Sequence, residues 1–135
     1  IQALVAAEDS RFFEHEGVDY TGIARAMLIN FKAGGVVQGA STITQQLARK
    51  SFGLTGKSYN RKLVEAFLAI RIEREFTKAE IMELYLNRIY FGGGFYGINA
   101  AAQGYFGKPA MDLSIAESAT LCGIIKSPNY NEGQW

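Results

Sequence analysis

The chain has 135 residues, of which 48% are hydrophobic and 20% charged. That is the size and balance of one folded domain with one core, and it excludes a disordered chain. The formal net charge of +1 excludes a polyanion partner held by bulk charge, so no nucleic acid is expected.

The pattern is helical almost throughout, and the two prolines, Pro109 and Pro128, both come late. Leu4 to Glu8 reads as the end of a short helix. The stretch AAEDSRFFEHEGVD, residues 6–19, then crowds Glu8, Asp9, Glu14, Glu16, Asp19 and the only histidine, His15, against Phe12 and Phe13. Ile23, Met27 and Phe31 recur every fourth residue and share one helical face. Thr42 to Lys50 is a short helix after the breaks at Gly34-Gly35 and Gly39. Ser58 to Phe76 is the strongest helical signal, with Leu63, Phe67 and Ile70 as its apolar stripe. Thr77-Lys-Ala-Glu80 is a capping box that opens a helix to about Asn87. The glycine-rich run 91–97 opposes regular structure and reads as a loop. Asn99 to Phe106 is helical again, and Ser114-Ile-Ala-Glu117 is a second capping box, opening a helix to about Ile125. No strand, repeat or internal linker is visible. The predicted fold class is all-α, in a single domain over residues 1–135.

Other features are negative. Cys122 stands alone, so no internal disulfide is available, and its setting AESATLCGII reads as a buried apolar position. No Cys/His spacing suits a metal, no signal peptide is present, and no apolar run is long enough to span a bilayer. The chain begins at Ile1 without Met, and reads as a piece of a longer protein.

Charge is unevenly distributed. From Tyr20 to Val64 there is no Asp or Glu, while the same stretch carries Arg25, Lys32, Arg49, Lys50, Lys57, Arg61 and Lys62. An acidic opening followed by a basic third can make a cleft attractive to an anion. Three groups of residues could carry chemistry. Glu8 follows an apolar turn and precedes two phenylalanines. Desolvation favours the neutral form of a carboxylate so placed, which prepares it to take a proton. The plainer reading is a polar helix end. His15 reads as a structural donor to neighbouring carboxylates. In Gly39-Ala-Ser-Thr-Ile-Thr-Gln-Gln-Leu-Ala-Arg-Lys50, the hydroxyls of Ser41, Thr42 and Thr44 stand at a helix start, followed by Gln45, Gln46, Arg49 and Lys50. Backbone N–H groups there favour an anion, and these side chains would add a grip on phosphate or sugar. An ordinary N-cap with a solvated face is the alternative. Arg61 and Glu65 share a helix face. Glu65 borders the apolar Ala66-Phe-Leu-Ala-Ile70, so it is expected to be partly buried and to need a partner, a metal or a catalytic task. Two semi-buried carboxylates flanking a basic segment suggest glycosyl chemistry. The cations suit a phosphate or pyrophosphate leaving group better than plain hydrolysis.

Four stretches, Glu8-Asp-Ser-Arg-Phe-Phe-Glu-His15, Gly39 to Arg49, Arg61-Lys-Leu-Val-Glu65 and Ile81-Met-Glu-Leu-Tyr-Leu-Asn87, resemble in order and spacing the motifs of the peptidoglycan glycosyltransferase family. These are the transglycosylase domains of class A penicillin-binding proteins and of monofunctional transglycosylases. The resemblance implies a helical, lysozyme-like fold with a smaller membrane-facing jaw, here about residues 20–57, and a domain truncated at both ends. It implies polymerisation of lipid II into glycan, with inversion at the donor anomeric carbon and release of undecaprenyl pyrophosphate. Glu8 matches the general base and Glu65 the second glutamate, which positions the pyrophosphate or a divalent metal, Mg or Mn; no organic cofactor is implied. Gln46, Arg49, Lys57 and Arg61 match the groups that hold the donor phosphates, and Ser41 and Thr42 match the loop lining that cleft. Asp9 and Gln45 join them as substrate-binding positions. The implied partners are lipid II, the growing glycan chain, a membrane surface and phosphoglycolipid inhibitors such as moenomycin. The implied location is the bacterial cell envelope, at the outer face of the cytoplasmic membrane. Ile23, Met27, Leu28 and Phe31, with Arg25 and Lys32, suit a jaw seated in anionic lipid, where a plain core helix is the other reading. Position 49 is Arg where the family often has Lys, and the family continues beyond the Ser127-Pro-Asn-Tyr130 stretch into a fifth, arginine-bearing motif, whereas this chain ends at Trp135. A lysozyme-like hydrolase and a non-catalytic module that binds lipid-linked glycan are the alternative functions.

Overall fold

A computed structural model describes residues 1–126. The Ser127-Pro-Asn-Tyr130 stretch, with the rest of 127–135, lies outside the described residues. Among the described residues seven α-helices occur in order: α1 (Gln2–Glu8), α2 (Tyr20–Ala33), α3 (Ile43–Ser51), α4 (Tyr59–Glu75), α5 (Lys78–Arg88), α6 (Ile98–Phe106) and α7 (Ile115–Lys126), with one 3-10 turn at Ala110–Asp112. No strand occurs among the described residues; Tyr90 and Tyr96 form one isolated antiparallel bridge within the glycine-rich loop. The all-α class is as expected.

Local sequence sets the helix starts. Thr42 and Thr77 each open a helix with a complete capping box, closed by Gln45 and Glu80. Ser114 and Glu117 exchange the same pair of bonds at the start of α7. α3 is the centre of the molecule. It packs against α4 and α5, while α1 packs against α7. The core gathers Leu4, Phe12, Ile43, Leu47, Ile81, Met82, Tyr85 and Leu121.

One helical face differs from the apolar stripe predicted for it. On α4, Leu63 and Phe67 are 69% and 62% exposed, and the buried residues are Glu65 and Ala69. The backbone decides this. A Cβ on Gly17 would stand 2.8 Å from the backbone of Ala69. The loop after α1 thus lies directly on α4, and only a small side chain fits at the contact. The bulky residues therefore face outward. On α2, Ala26 alone is buried, while Met27, Leu28 and Phe31 are open to solvent, Phe31 at 86%. The core-helix reading of α2 does not hold.

Candidate active site

The acidic opening stretch is ordered from within. Phe12 is fully buried, and the Lys78 ammonium stands 4.5 Å over its ring. That ammonium donates to the His15 carbonyl at 2.6 Å and to Glu73 at 2.8 Å, and Glu73 also accepts from the Thr44 hydroxyl at 2.6 Å. This polar knot joins the loop after α1 to α3, α4 and α5. His15 is the structural donor expected of it. The Gly17 N–H donates to its Nδ1 at 3.1 Å, so Nε2 carries the proton and donates to Asp9 Oδ2 at 2.8 Å. Asp9 Oδ2 also accepts the Ile43 N–H at 2.9 Å. Both side chains are buried. Asp9 therefore anchors the first turn of α3, and its immediate neighbour Glu8 is held beside that helix.

Glu8 ends α1. Its Oε2 accepts from Gln46 Nε2 at 3.3 Å, and Gln46 Oε1 accepts from the Tyr85 hydroxyl at 3.0 Å. Its Oε1 is shielded from solvent and makes no hydrogen bond. Burial without a partner is costly for a carboxylate oxygen and leaves it a ready acceptor. Glu8 forms part of two neighbouring cavities. One, of about 570 Å³, also takes in Ser41, Gln46, Arg49 and Lys126. The other, of about 80 Å³, takes in Asp9, Asp19, Arg25, Ser41 and Thr42. Glu8 thus stands between two spaces, the larger bordered by Arg49 and Lys126 and the smaller by Arg25 with carboxylates and hydroxyls.

The expected residues fall into separate groups. Glu8, Asp9, Ser41, Gln46 and Arg49 meet at the larger cavity, and Glu8, Asp9, Ser41 and Thr42 at the smaller. Thr42 donates its hydroxyl to the Gly17 carbonyl at 2.6 Å, and Gln45 closes the capping box, so both are engaged in holding α3 in place. Lys57 is exposed on the loop between α3 and α4. Glu65 is only 1% exposed, so it is no surface residue. Arg61 Nε faces its Oε1 at 3.0 Å in an ion pair that lacks hydrogen-bond alignment, and Lys62 Nζ faces Oε2 at 3.1 Å. Arg61 also donates to the Gly56 carbonyl. Lys62 donates to Ser41 Oγ at 2.6 Å, which ties the stretch of chain before α3 to α4. A cation therefore stands against each oxygen of Glu65. Its chemistry is that of a buried anchor for two cations.

Sequence reasoning does not single out Lys62, Tyr85 or Arg25 as site residues. Lys62 is detectable in principle, since it stands three residues before Glu65 on the same helix. Tyr85 is not, because its contact with Gln46 joins two helices and spans 39 residues of sequence. Cys122 is half-buried, and burial pushes its thiol upward, in keeping with an apolar setting.

The fold and site define an all-α domain with a partly dry carboxylate beside a cavity bordered by cations. The transglycosylase family model matches residues 1–134, and the chain belongs to that family. It is 53% identical over 132 residues to penicillin-binding protein 1A of Aquifex aeolicus, covering 97% of this chain and 18% of that protein. Against penicillin-binding protein 1A of Escherichia coli it is 53% identical over 129 residues, covering 96% of this chain and 15% of that protein. Against penicillin-binding protein 1F of Bacillus subtilis it is 46% identical over 128 residues, covering 95% of this chain and 18% of that protein. The chain spans less than a fifth of the length of these relatives.

Proposed function

We propose that this chain is a peptidoglycan glycosyltransferase domain that polymerises lipid II. The observation that carries the reading is Glu8, whose Oε1 lacks any partner while its Oε2 is held by Gln46 beside a cleft bordered by Arg49. The growing glycan, on undecaprenyl pyrophosphate, is the donor. The 4-hydroxyl of incoming lipid II is the acceptor. As its oxygen bonds to the donor anomeric carbon from the face opposite the leaving group, Glu8 takes the hydroxyl proton. The bond from the anomeric carbon to the pyrophosphate oxygen breaks, its electron pair leaves with the phosphate, and the configuration inverts. Arg49 and Arg61, with Lys62 and Lys57 from the same basic stretch, stabilise the charge that grows on the pyrophosphate. Glu65 holds Arg61 and Lys62 in position for that role. No metal is needed at Glu65 in this scheme.

The open apolar face of α2, with Met27, Leu28 and Phe31 exposed beside Arg25 and Lys32, supports a seat in the headgroup region of a membrane, where a lipid-linked substrate lies. In this reading the domain works at the outer face of the bacterial cytoplasmic membrane. A phosphoglycolipid of the moenomycin type would compete for the donor half of the cleft.

The test is polymerisation of labelled lipid II in detergent, read on a gel, for the parent chain and Glu8→Gln. Glycan from the parent alone supports the enzyme and its base. Removal of a general base is expected to lower the rate about 10²- to 10⁴-fold. Turnover by Glu8→Gln near the parental rate would sink the assignment. No product from either, with retained binding of a phosphoglycolipid, would leave a module that binds without turnover.

A further inference from the structure

We propose that Tyr85 is a positioning residue for the base: its hydroxyl fixes the side-chain amide of Gln46 so that Gln46 presents an N–H to Glu8. This inference rests on the reading of Glu8 as the general base. The contacts form a chain across three helices. Tyr85 on α5 is 1% exposed and donates to Gln46 Oε1 at 3.0 Å. Gln46 on α3 donates to Oε2 of Glu8, at the end of α1, at 3.3 Å.

A glutamine amide is nearly symmetrical in shape but not in hydrogen bonding, since one end only donates and the other only accepts. Turned over, Gln46 would set its carbonyl oxygen against the Glu8 carboxylate, lone pair to lone pair. The contact with Glu8 alone is long, and is a weak restraint on that rotation. The Glu8 carboxylate, which only accepts, selects the orientation, and the Tyr85 O–H supplies the second restraint by bonding the far end of the amide and holding it there. Tyr85 is suited to that task. Burial pushes its phenol well above the ordinary value, and the charge of Glu8 pushes the same way, so the group stays protonated and remains a donor. The consequence is an inequality between the two oxygens of the base. Oε2 is committed to Gln46, while Oε1 has no partner and keeps its acceptor capacity for an incoming hydroxyl.

Tyr85→Phe tests this, because it keeps the buried ring and removes only the hydroxyl. We expect kcat to fall about tenfold, the equivalent of about 1.4 kcal/mol, while KM for lipid II stays within about twofold. Gln46→Leu lowers kcat as well, and adding Tyr85→Phe to it brings no further loss, because the hydroxyl acts only through the amide. Parental kcat in Tyr85→Phe, or losses that multiply in the double variant, would overturn the proposal. A readout without substrate separates it from the glycosyltransferase reading. In isotope-labelled protein, the Gln46 side-chain NH₂ signals should shift or broaden in Tyr85→Phe and respond to Glu8→Gln. If the parent makes no glycan but those signals respond, the positioning chain stands and the reaction assigned to it falls. If they do not move, the Tyr85 proposal falls whatever the activity.

Discussion

Gly17→Ala is expected to be among the most damaging single-methyl changes in this protein, and its cost can be worked out in two parts. Gly17 has φ +97°, in the left-handed region that L side chains rarely adopt. Forcing alanine there costs about 1–2 kcal/mol. The added Cβ would stand 2.8 Å from the carbonyl carbon and oxygen of Ala69 and 2.9 Å from the Ile70 nitrogen. These are backbone atoms of α4, which cannot swing aside as a side chain would. Overpacking of this kind costs about 1–3 kcal/mol. The sum is about 2–5 kcal/mol, and at about 4 °C per kcal/mol for a chain of this size it lowers Tm by about 8–20 °C. The same loop accepts the Thr42 hydroxyl through the Gly17 carbonyl and gives its N–H to His15. Displacing it therefore loosens Asp9 and Glu8, and polymerisation falls even well below Tm. Gly53→Ala is the control. Gly53 has φ +60°, but nothing lies within 4 Å of its Cβ position. It should lose only the conformational part, about 1–2 kcal/mol. Thermal melts followed by circular dichroism, run side by side, decide the matter. Equal losses in the two variants would refute the close-approach account, as would a Gly17→Ala melt within about 2 °C of the parent, which corresponds to well under 1 kcal/mol.

Three further outcomes are expected from the same geometry. Asp9→Ala leaves the buried Ile43 N–H and His15 Nε2–H without acceptors, so it should cost about 2–4 kcal/mol in urea melts; an Asp9 that only touches substrate would change binding and not stability. Arg49→Ala removes a cation from the larger cavity and should weaken binding of a pyrophosphate-bearing donor about tenfold or more while leaving Tm unchanged, which a titration with a phosphoglycolipid can read. For Glu117, the Lys108 ammonium and then the Ser114 N–H hold the carboxyl below the ordinary value, and for Glu80 the Thr77 N–H and hydroxyl do the same. Each therefore contributes stability that is present above the unfolded carboxyl value, near about 4.3, and is lost as pH falls below it; melts at falling pH should show a smaller acid loss in Glu80→Gln and Glu117→Gln than in the parent.

How much is legible in the sequence depends on how local each signal is. The capping boxes at Thr77 and Ser114 depend on residues three apart, and both form. The helix spans hold to within a few residues for the same reason. Which face of a helix is buried is not a local property. The stripe of Leu63 and Phe67 looks like a core face by period alone, yet α4 meets its neighbours through Glu65 and Ala69. The deciding contact comes from Gly17, far away in sequence. The site divides the same way. Glu8, Gln46 and Arg49 carry their chemistry in their identity and could be picked out one by one. The Thr42–Gln45 cap is local, but the bonds of Thr42 to Gly17 and of Asp9 to Ile43 appear only when their partners are in place.

The geometry also bears on whether such a cleft cuts glycan or builds it. A glycan hydrolase of the common kind needs a second carboxylate, free either to activate water or to attack the anomeric carbon. The carboxylates that share a cavity with Glu8 are Asp9 and Asp19. Asp9 already accepts from His15 and Ile43 on one oxygen, and it lies buried. Asp19 caps α2 by accepting the Gly22 N–H and faces Arg11 at 3.8 Å. Both are occupied with holding the fold. Meanwhile Arg49 and Lys126 border the larger cavity, and Glu65 braces Arg61 and Lys62 on α4. Cations so placed do little for a neutral sugar leaving group, which departs on a proton. They do much for a pyrophosphate, which departs as an anion. A single free base and a braced set of cations together favour attack by an alcohol with loss of a lipid pyrophosphate over attack by water with loss of a sugar.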